Sequence, residues 1–173
     1  MKARIRLALA GLLALAVAAG AAALTGGASA TPPDLLQAAK ATAAKYHSVR
    51  QAEADGYALA SPCIESPAGG MGFHYENPQL MADDAIDPLR PEILVYVEKK
   101  NVKLELVAIE YWKRDADGSL LTSSDRPSVL GQPFDGPMPG HSPVMPIHYD
   151  LHAWVYEPNS SGTFAPFNPG VDC

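Results

Sequence analysis

Residues 147–156 read Ile147-His148-Tyr149-Asp150-Leu151-His152-Ala153-Trp154-Val155-Tyr156. Successive side chains of an extended chain point to opposite sides, so a strand here divides the stretch in two. Ile147, Tyr149, Leu151, Ala153 and Val155 form an apolar face. His148, Asp150, His152, Trp154 and Tyr156 form the other. A sheet face that meets only water normally carries simple polar residues such as Thr, Lys or Glu. Two histidines, an aspartate and two large aromatics imply that this second face is covered as well.

Working outward, Ile93 to Glu98 is rich in β-branched and aromatic residues and reads as a second strand. Val102 to Trp112 alternates, with Leu104, Leu106, Ala108, Glu110 and Trp112 on one face and Lys103, Glu105, Val107, Ile109 and Tyr111 on the other. Asp115-Ala116-Asp117-Gly118 reads as a hairpin turn into Ser119–Thr122. It lacks the ligand spacing and closing Glu of a calcium loop. Residues 127–146 hold six Pro and three Gly, the composition of a long functional loop. At the other end, Thr31-Pro32-Pro33-Asp34 has the layout of a helix start. Leu35, Ala39, Thr42, Tyr46 and Val49 then recur in steps of four and three, and Gly56 offers a stop. The expectation is one helix over residues 34–55. The fold class is therefore α+β: a long N-terminal helix on a mainly antiparallel sheet, with an all-β sandwich as the runner-up.

The chain has 173 residues, 13 Lys+Arg and 19 Asp+Glu, and 47% hydrophobic content. That is the size of one domain, with enough apolar residues for a core. The net charge of −6 argues against nucleic acid as a partner, because little is left to neutralise phosphates. Residues 1–30 read as a cleaved signal peptide. Lys2, Arg4 and Arg6 form a basic start, Leu7–Leu24 carries no charge, and Ala28-Ser29-Ala30 is a small-x-small cleavage pattern. Residues 31–173 then form a single secreted domain with no stable membrane insertion. In an oxidising compartment Cys63 and Cys173, the only cysteines, are expected to pair. Closing a loop of about 110 residues contributes some 4–5 kcal/mol in the chain-entropy view.

Histidines carry most of the chemical signal. His47 lies on the predicted helix, off its apolar stripe. His74, His141 and His148 each follow a methionine by three residues: Met71-Gly72-Phe73-His74, Met138-Pro139-Gly140-His141 and Met145-Pro146-Ile147-His148. Thioether plus imidazole suits copper, while imidazole with carboxylate suits zinc or another transition metal. Met-Pro and Gly-His are equally common in turns, and methionine fills core gaps. His148-x-x-x-His152 on a strand spans about 13 Å, too far for one ion to bridge, and no glutamate follows the first histidine, which excludes a zinc-protease helix. Glu110 sits on an otherwise apolar face and needs a partner: a metal, a hydrogen-bond network, or Lys113 or Arg114 at the strand end. Ser123, Ser124 and Ser142 leave a hydrolase triad open, without any Gly-x-Ser-x-Gly elbow.

Four stretches resemble a family of small secreted bacterial proteins without an assigned activity: residues 71–75 (MGFHY), 131–141 (GQPFDGPMPGH), 148–154 (HYDLHAW) and 164–169 (FAPFNP). The resemblance covers most of residues 31–173, including a Cys after the first helix and one at the C-terminus. It implies a secreted single-domain protein and supplies no reaction or cofactor.

Two functional readings follow. In the first, His74, Glu110, His141, His148, Asp150 and His152 gather under the 127–146 loop and bind copper or zinc, with or without catalysis. In the second, Trp112, Trp154 and Tyr156 with Asp150 form an aromatic-polar face for a small ligand such as a carbohydrate or peptide. The leader reading has its own check. N-terminal sequencing or intact mass of the exported protein is expected to give a chain that begins at Thr31, and a retained Met1–Ala30 segment would refute it.

Overall fold

The computed structural model describes residues 30–100, 103–141 and 144–173. The leader, Val102 and Ser142 therefore lie outside the described residues. Helix α1 spans Pro32–Ala43, a 3-10 turn follows over Ala44–His47, and α2 spans Val49–Ala54. Strands β1 (Ala58–Leu59), β2 (Ile64–Ser66) and β3 (Gly69–Glu76) precede α3 (Pro78–Asp83). β4 (Ile93–Lys99) and β5 (Lys103–Arg114) come next, then the short β6 (Ser128–Val129), β7 (Gln132–Pro133) and β8 (Asp135–Met138), and finally β9 (His148–Ala153). The main sheet runs β1-β3-β4-β5-β9-β8, with β2 also on β3, and every pairing is antiparallel. The α+β expectation with an antiparallel sheet and one disulfide holds; the long helix does not.

The first helical segment ends after 12 residues, tightens into the 3-10 turn, and breaks at Ser48, which is extended. Lys45-Tyr46-His47-Ser48-Val49 is mostly aromatic, polar or β-branched, a poor run for an α-helix. In 3-10 geometry residues three apart eclipse, so Ala43, Tyr46, Val49 and Ala52 keep facing the sheet through the change. Asp34 accepts from the Thr31 N–H at 3.1 Å and closes the first turn as the sequence implied. Gly56, at φ +96°, takes the left-handed conformation that ends α2.

Under these helices lies the main core: Leu94, Tyr96, Ile109, Tyr111, Tyr149, Leu151 and Ala153, all essentially buried. Each large apolar side chain there contributes about 1.5–3 kcal/mol of burial. The Tyr96 hydroxyl donates to the Tyr46 carbonyl at 2.7 Å and ties the 3-10 turn to the sheet. The other face carries a smaller apolar cluster of Val95, Val97, Val107, Ala108, Trp154 and Val171.

One expected alternation slips. Val95 pairs with Ala108 but Tyr96 pairs with Leu106, leaving Val107 as an extra residue in β5. A bulge of this kind reverses the phase of the strand. Leu104 and Leu106 consequently join Ile109 and Tyr111 on the helix side, while Ala108, Glu110 and Trp112 stay on the opposite face. The bulge carbonyl accepts from Tyr156 N–H at 3.1 Å, which pulls the chain across after β9.

Other short elements also differ from expectation. The Asp115–Gly118 turn exists, with Gly118 N–H donating to Asp115 Oδ1 at 2.5 Å, but no strand follows at residues 119–122. Asp115, Asp117 and Asp125 accept so many local N–H and O–H bonds that the segment is already closed as a loop. The 127–146 stretch is not structureless: it contains the β6–β7 ribbon and β8, which extends the sheet beside β9.

The C-terminal arm closes against β3. Gly70 N–H donates to the Asn168 and Val171 carbonyls at 3.2 and 2.9 Å. A Cβ at Gly69 would stand 2.2 Å from the Asn168 oxygen, so only glycine permits this approach. Cys63 and Cys173 are bonded, closing a sequence separation of 110. Among the described residues no helix is long and apolar enough to cross a membrane.

Where β4 begins at Ile93, the Trp112 N–H finds its acceptor in the Glu92 carboxylate at 3.1 Å, the Pro91 carbonyl being bound by the Tyr57 hydroxyl. Burial raises the Glu92 carboxyl to about 8, with the Trp112 N–H pulling the other way. Between the ordinary carboxyl range and pH 8 the folded chain therefore holds a proton that the unfolded chain has lost. The associated stability is present at low pH and disappears as pH rises toward 8. Glu92→Gln keeps an acceptor for Trp112 and removes the ionisation. Urea unfolding is expected to show the variant gaining on the parent by of order 3 kcal/mol between pH 5 and pH 8.

Candidate metal centre

The face of the sheet opposite the helices is apolar at one end and ionisable at the other. Register decides which residues meet. Glu110 on β5 lies directly opposite His152 on β9. Ile93 flanks Glu110 on the other side, and Glu76 lies beyond Ile93. His74, two residues before Glu76 on β3, shares the same face and reaches diagonally toward Glu110. The outcome is a cluster in which Glu110 Oε2 is 3.4 Å from His74 Nε2 and 3.4 Å from His152 Nε2. His74, Glu110 and His152 are 6%, 3% and 1% exposed.

A second group forms one and two rows along. Asp150 pairs with Trp112 and His148 with Arg114, and the His148 Nε2 lies 3.8 Å from Asp150 Oδ2. His141 comes from the loop after β8, its ring 5.2 Å from that of His148 and nearly perpendicular to it. Each group, His74–Glu110–His152 and His141–His148–Asp150, places three donor atoms within 4.8 Å of one another. Gly140 allows the loop to return here, since a Cβ at that position would stand 1.9 Å from the Met145 carbonyl. A cavity of about 230 Å³ lies between, lined by Ser61, His74, Glu110, His141, Met145 and His148 among others.

Ring orientation is fixed by neighbours that leave little choice. The Pro146 carbonyl can only accept, so His148 Nδ1 carries the proton and donates to it at 3.0 Å. Ser61 Oγ donates to the Pro62 carbonyl at 3.1 Å, which leaves it an acceptor for His74 Nδ1–H at 2.9 Å. Both imidazoles therefore turn Nε2 toward a carboxylate. Burial, then the charge of His141, lowers His74 to about 4, so its Nε2 offers a lone pair at neutral pH. Burial lowers His148 and His152 in the same direction. Burial also pushes Glu110 well above the usual carboxyl range, and Asp150 up to about 7.

The 3.4 Å contacts of Glu110 Oε2 do not have hydrogen-bond geometry, so the buried carboxyl and the imidazole lone pairs face one another without a bond, a contact that burial does not favour. Glu110 Oε2, Asp150 Oδ1 and both ring nitrogens of His152 are buried without a hydrogen-bond partner among the described residues. Donors bound to one tetrahedral zinc at 2.0–2.1 Å stand about 3.3–3.4 Å apart. Glu110 Oε2 stands at that spacing from both imidazole nitrogens and all three donor atoms lie within 4.8 Å of one another, so the residues fit such an ion in donor type and in the two separations to the carboxyl.

All six of His74, Glu110, His141, His148, Asp150 and His152 thus come together. The strand-end ion pair for Glu110 forms with neither residue: Lys113 binds Asp84 instead, and among the described residues Arg114 makes no ion pair with Glu110. Trp112, Trp154 and Tyr156 do not make one ligand face. Trp112 stacks on His148 with ring centroids 5.7 Å apart, whereas Trp154 packs in the apolar cluster and donates to the Ala165 carbonyl at 2.7 Å. Tyr156, beyond the end of β9, crosses to the helix side, where it packs on His47 and donates to the Lys40 carbonyl. Of the three methionines spaced before histidines, only Met145 lines the cavity. Ser61 was not singled out in the sequence, and its position two residues before Cys63 is the one signal that could have drawn attention to it.

A buried carboxyl without a partner weakens the metal-free fold. In chelator, Glu110→Leu is expected to raise unfolding stability by about 1–3 kcal/mol, read from urea curves of variant and parent. Loss of stability would mean that Glu110 already has a protein partner. No protein family, curated protein or solved structure matches the chain, so what the pocket does follows from its own donors and spacing.

Proposed function

We propose that this protein is an exported metal-binding protein that holds a zinc or copper ion on His74, Glu110 and His152. The observation that carries this reading is the single carboxylate oxygen set 3.4 Å from two imidazole nitrogens in a buried pocket. Two imidazoles and one carboxylate suit zinc and copper(II) alike, and leave a coordination position open toward the cavity. Ser61 acts as the neighbour that holds His74 in the right tautomer, a common arrangement around metal-bound histidines. The disulfide and the leader-like residues 1–30 support export.

The test is metal analysis of tag-free protein, followed by titration of the chelator-stripped chain with zinc and with copper. Tight binding of at least one equivalent is expected, together with a rise in Tm that grows with free ion concentration. Glu110→Gln and His152→Ala should lose that equivalent and the Tm rise, with the Glu110→Gln chain still folded in circular dichroism. A parent protein that takes up neither ion would overturn the reading.

A further inference from the structure

The pocket holds more donors than one ion can use. A zinc or copper centre takes about four ligands, and the inner group already supplies three. His141, His148 and Asp150 repeat the same donor set of two imidazoles and one carboxylate, again with all three donor atoms within 4.8 Å of one another. His148 is oriented for this by the Pro146 carbonyl, which accepts its Nδ1–H at 3.0 Å and leaves Nε2 toward Asp150. Asp150 is 99% buried, and its Oδ1 has no hydrogen-bond partner among the described residues. On β9 the two groups occupy consecutive positions of one face, Asp150 and His152, about 6.5–7 Å apart along the strand. The same cavity is lined by His74 and Glu110 of the inner group and by His141 and His148 of the outer one.

We propose that the pocket binds two divalent transition-metal ions, the second on His141, His148 and Asp150. This rests on the metal-binding reading of the inner group. The two sites differ in access. All three inner ligands are buried, whereas His141 is exposed on the loop that follows β8. The inner ion is therefore the slow, retained one, and the outer ion exchanges with solvent through the side that His141 closes.

Zinc titration of the chelator-stripped, tag-free protein, read by calorimetry and by metal content after gel filtration, decides the matter. The parent is expected to take two equivalents, the weaker one stripped first by a competing chelator. His141→Ala alters an exposed loop residue and should leave the fold intact. It is expected to bind one equivalent, with the affinity of the tight site within about twofold of the parent. Asp150→Asn should do the same. A parent that binds one equivalent, or a His141→Ala protein that still binds two with unchanged affinities, would overturn the second site and leave the first. A parent that binds none would overturn both.

Discussion

The pairing of β5 with β9, which sets Glu110 opposite His152, is the constraint on which the rest of this structure depends. Side chains alternate with a period of two, so a slip of one residue would carry every ionisable group to the helix side and every core residue away from it. The apolar half of the alternation resists that slip. Tyr149 and Leu151 of β9 and Ile109 and Tyr111 of β5 are all buried beneath the helices, and moving them would cost several kcal/mol in burial alone. The core thus holds the polar face in register from the opposite side of the sheet.

The polar face is unfavourable for the fold in isolation. Two carboxyl groups and three histidines stand buried, and the neutral form of each is favoured by burial. Proteins tolerate such clusters where the groups serve a ligand rather than the core. The surrounding structure invests in keeping them oriented: a serine hydroxyl for His74, a proline carbonyl and a stacked indole for His148.

Much of this was legible in the sequence. The alternation of residues 147–156 placed His148, Asp150 and His152 on one face, and the expense of that face implied a cover. Glu110 stood out as a carboxylate in an apolar row. What the sequence hid has physical causes. Local periodicity cannot distinguish an α-helix from an α-helix that tightens into a 3-10 turn, because residues three apart stay on the core side in both. The bulge at Val107 is invisible to a strict alternation, since only pairing with β4 reveals the extra residue. Alternation puts Tyr156 on the histidine face, but the strand ends at Ala153 and the bulge carbonyl redirects the chain to the other side. Of the methionines spaced before histidines only Met145 reaches the cavity, since on a strand positions three apart face opposite ways and a bend such as that at Pro146 is needed to bring a pair together.

The cross-link between Cys63 and Cys173 reaches further than the chain ends it joins. Cys63 follows Ser61 and Pro62, and those two residues supply the oxygen that turns the His74 ring and the carbonyl that settles the hydroxyl's own proton. Anchoring Cys63 to the C-terminal arm therefore anchors the hinge of an imidazole on the neighbouring strand. Closing the Cys63–Cys173 bond and fixing the His74 ring are thereby linked. Without the cross-link the same side chains remain, but the segment that bears the orienting oxygen loses its covalent anchor.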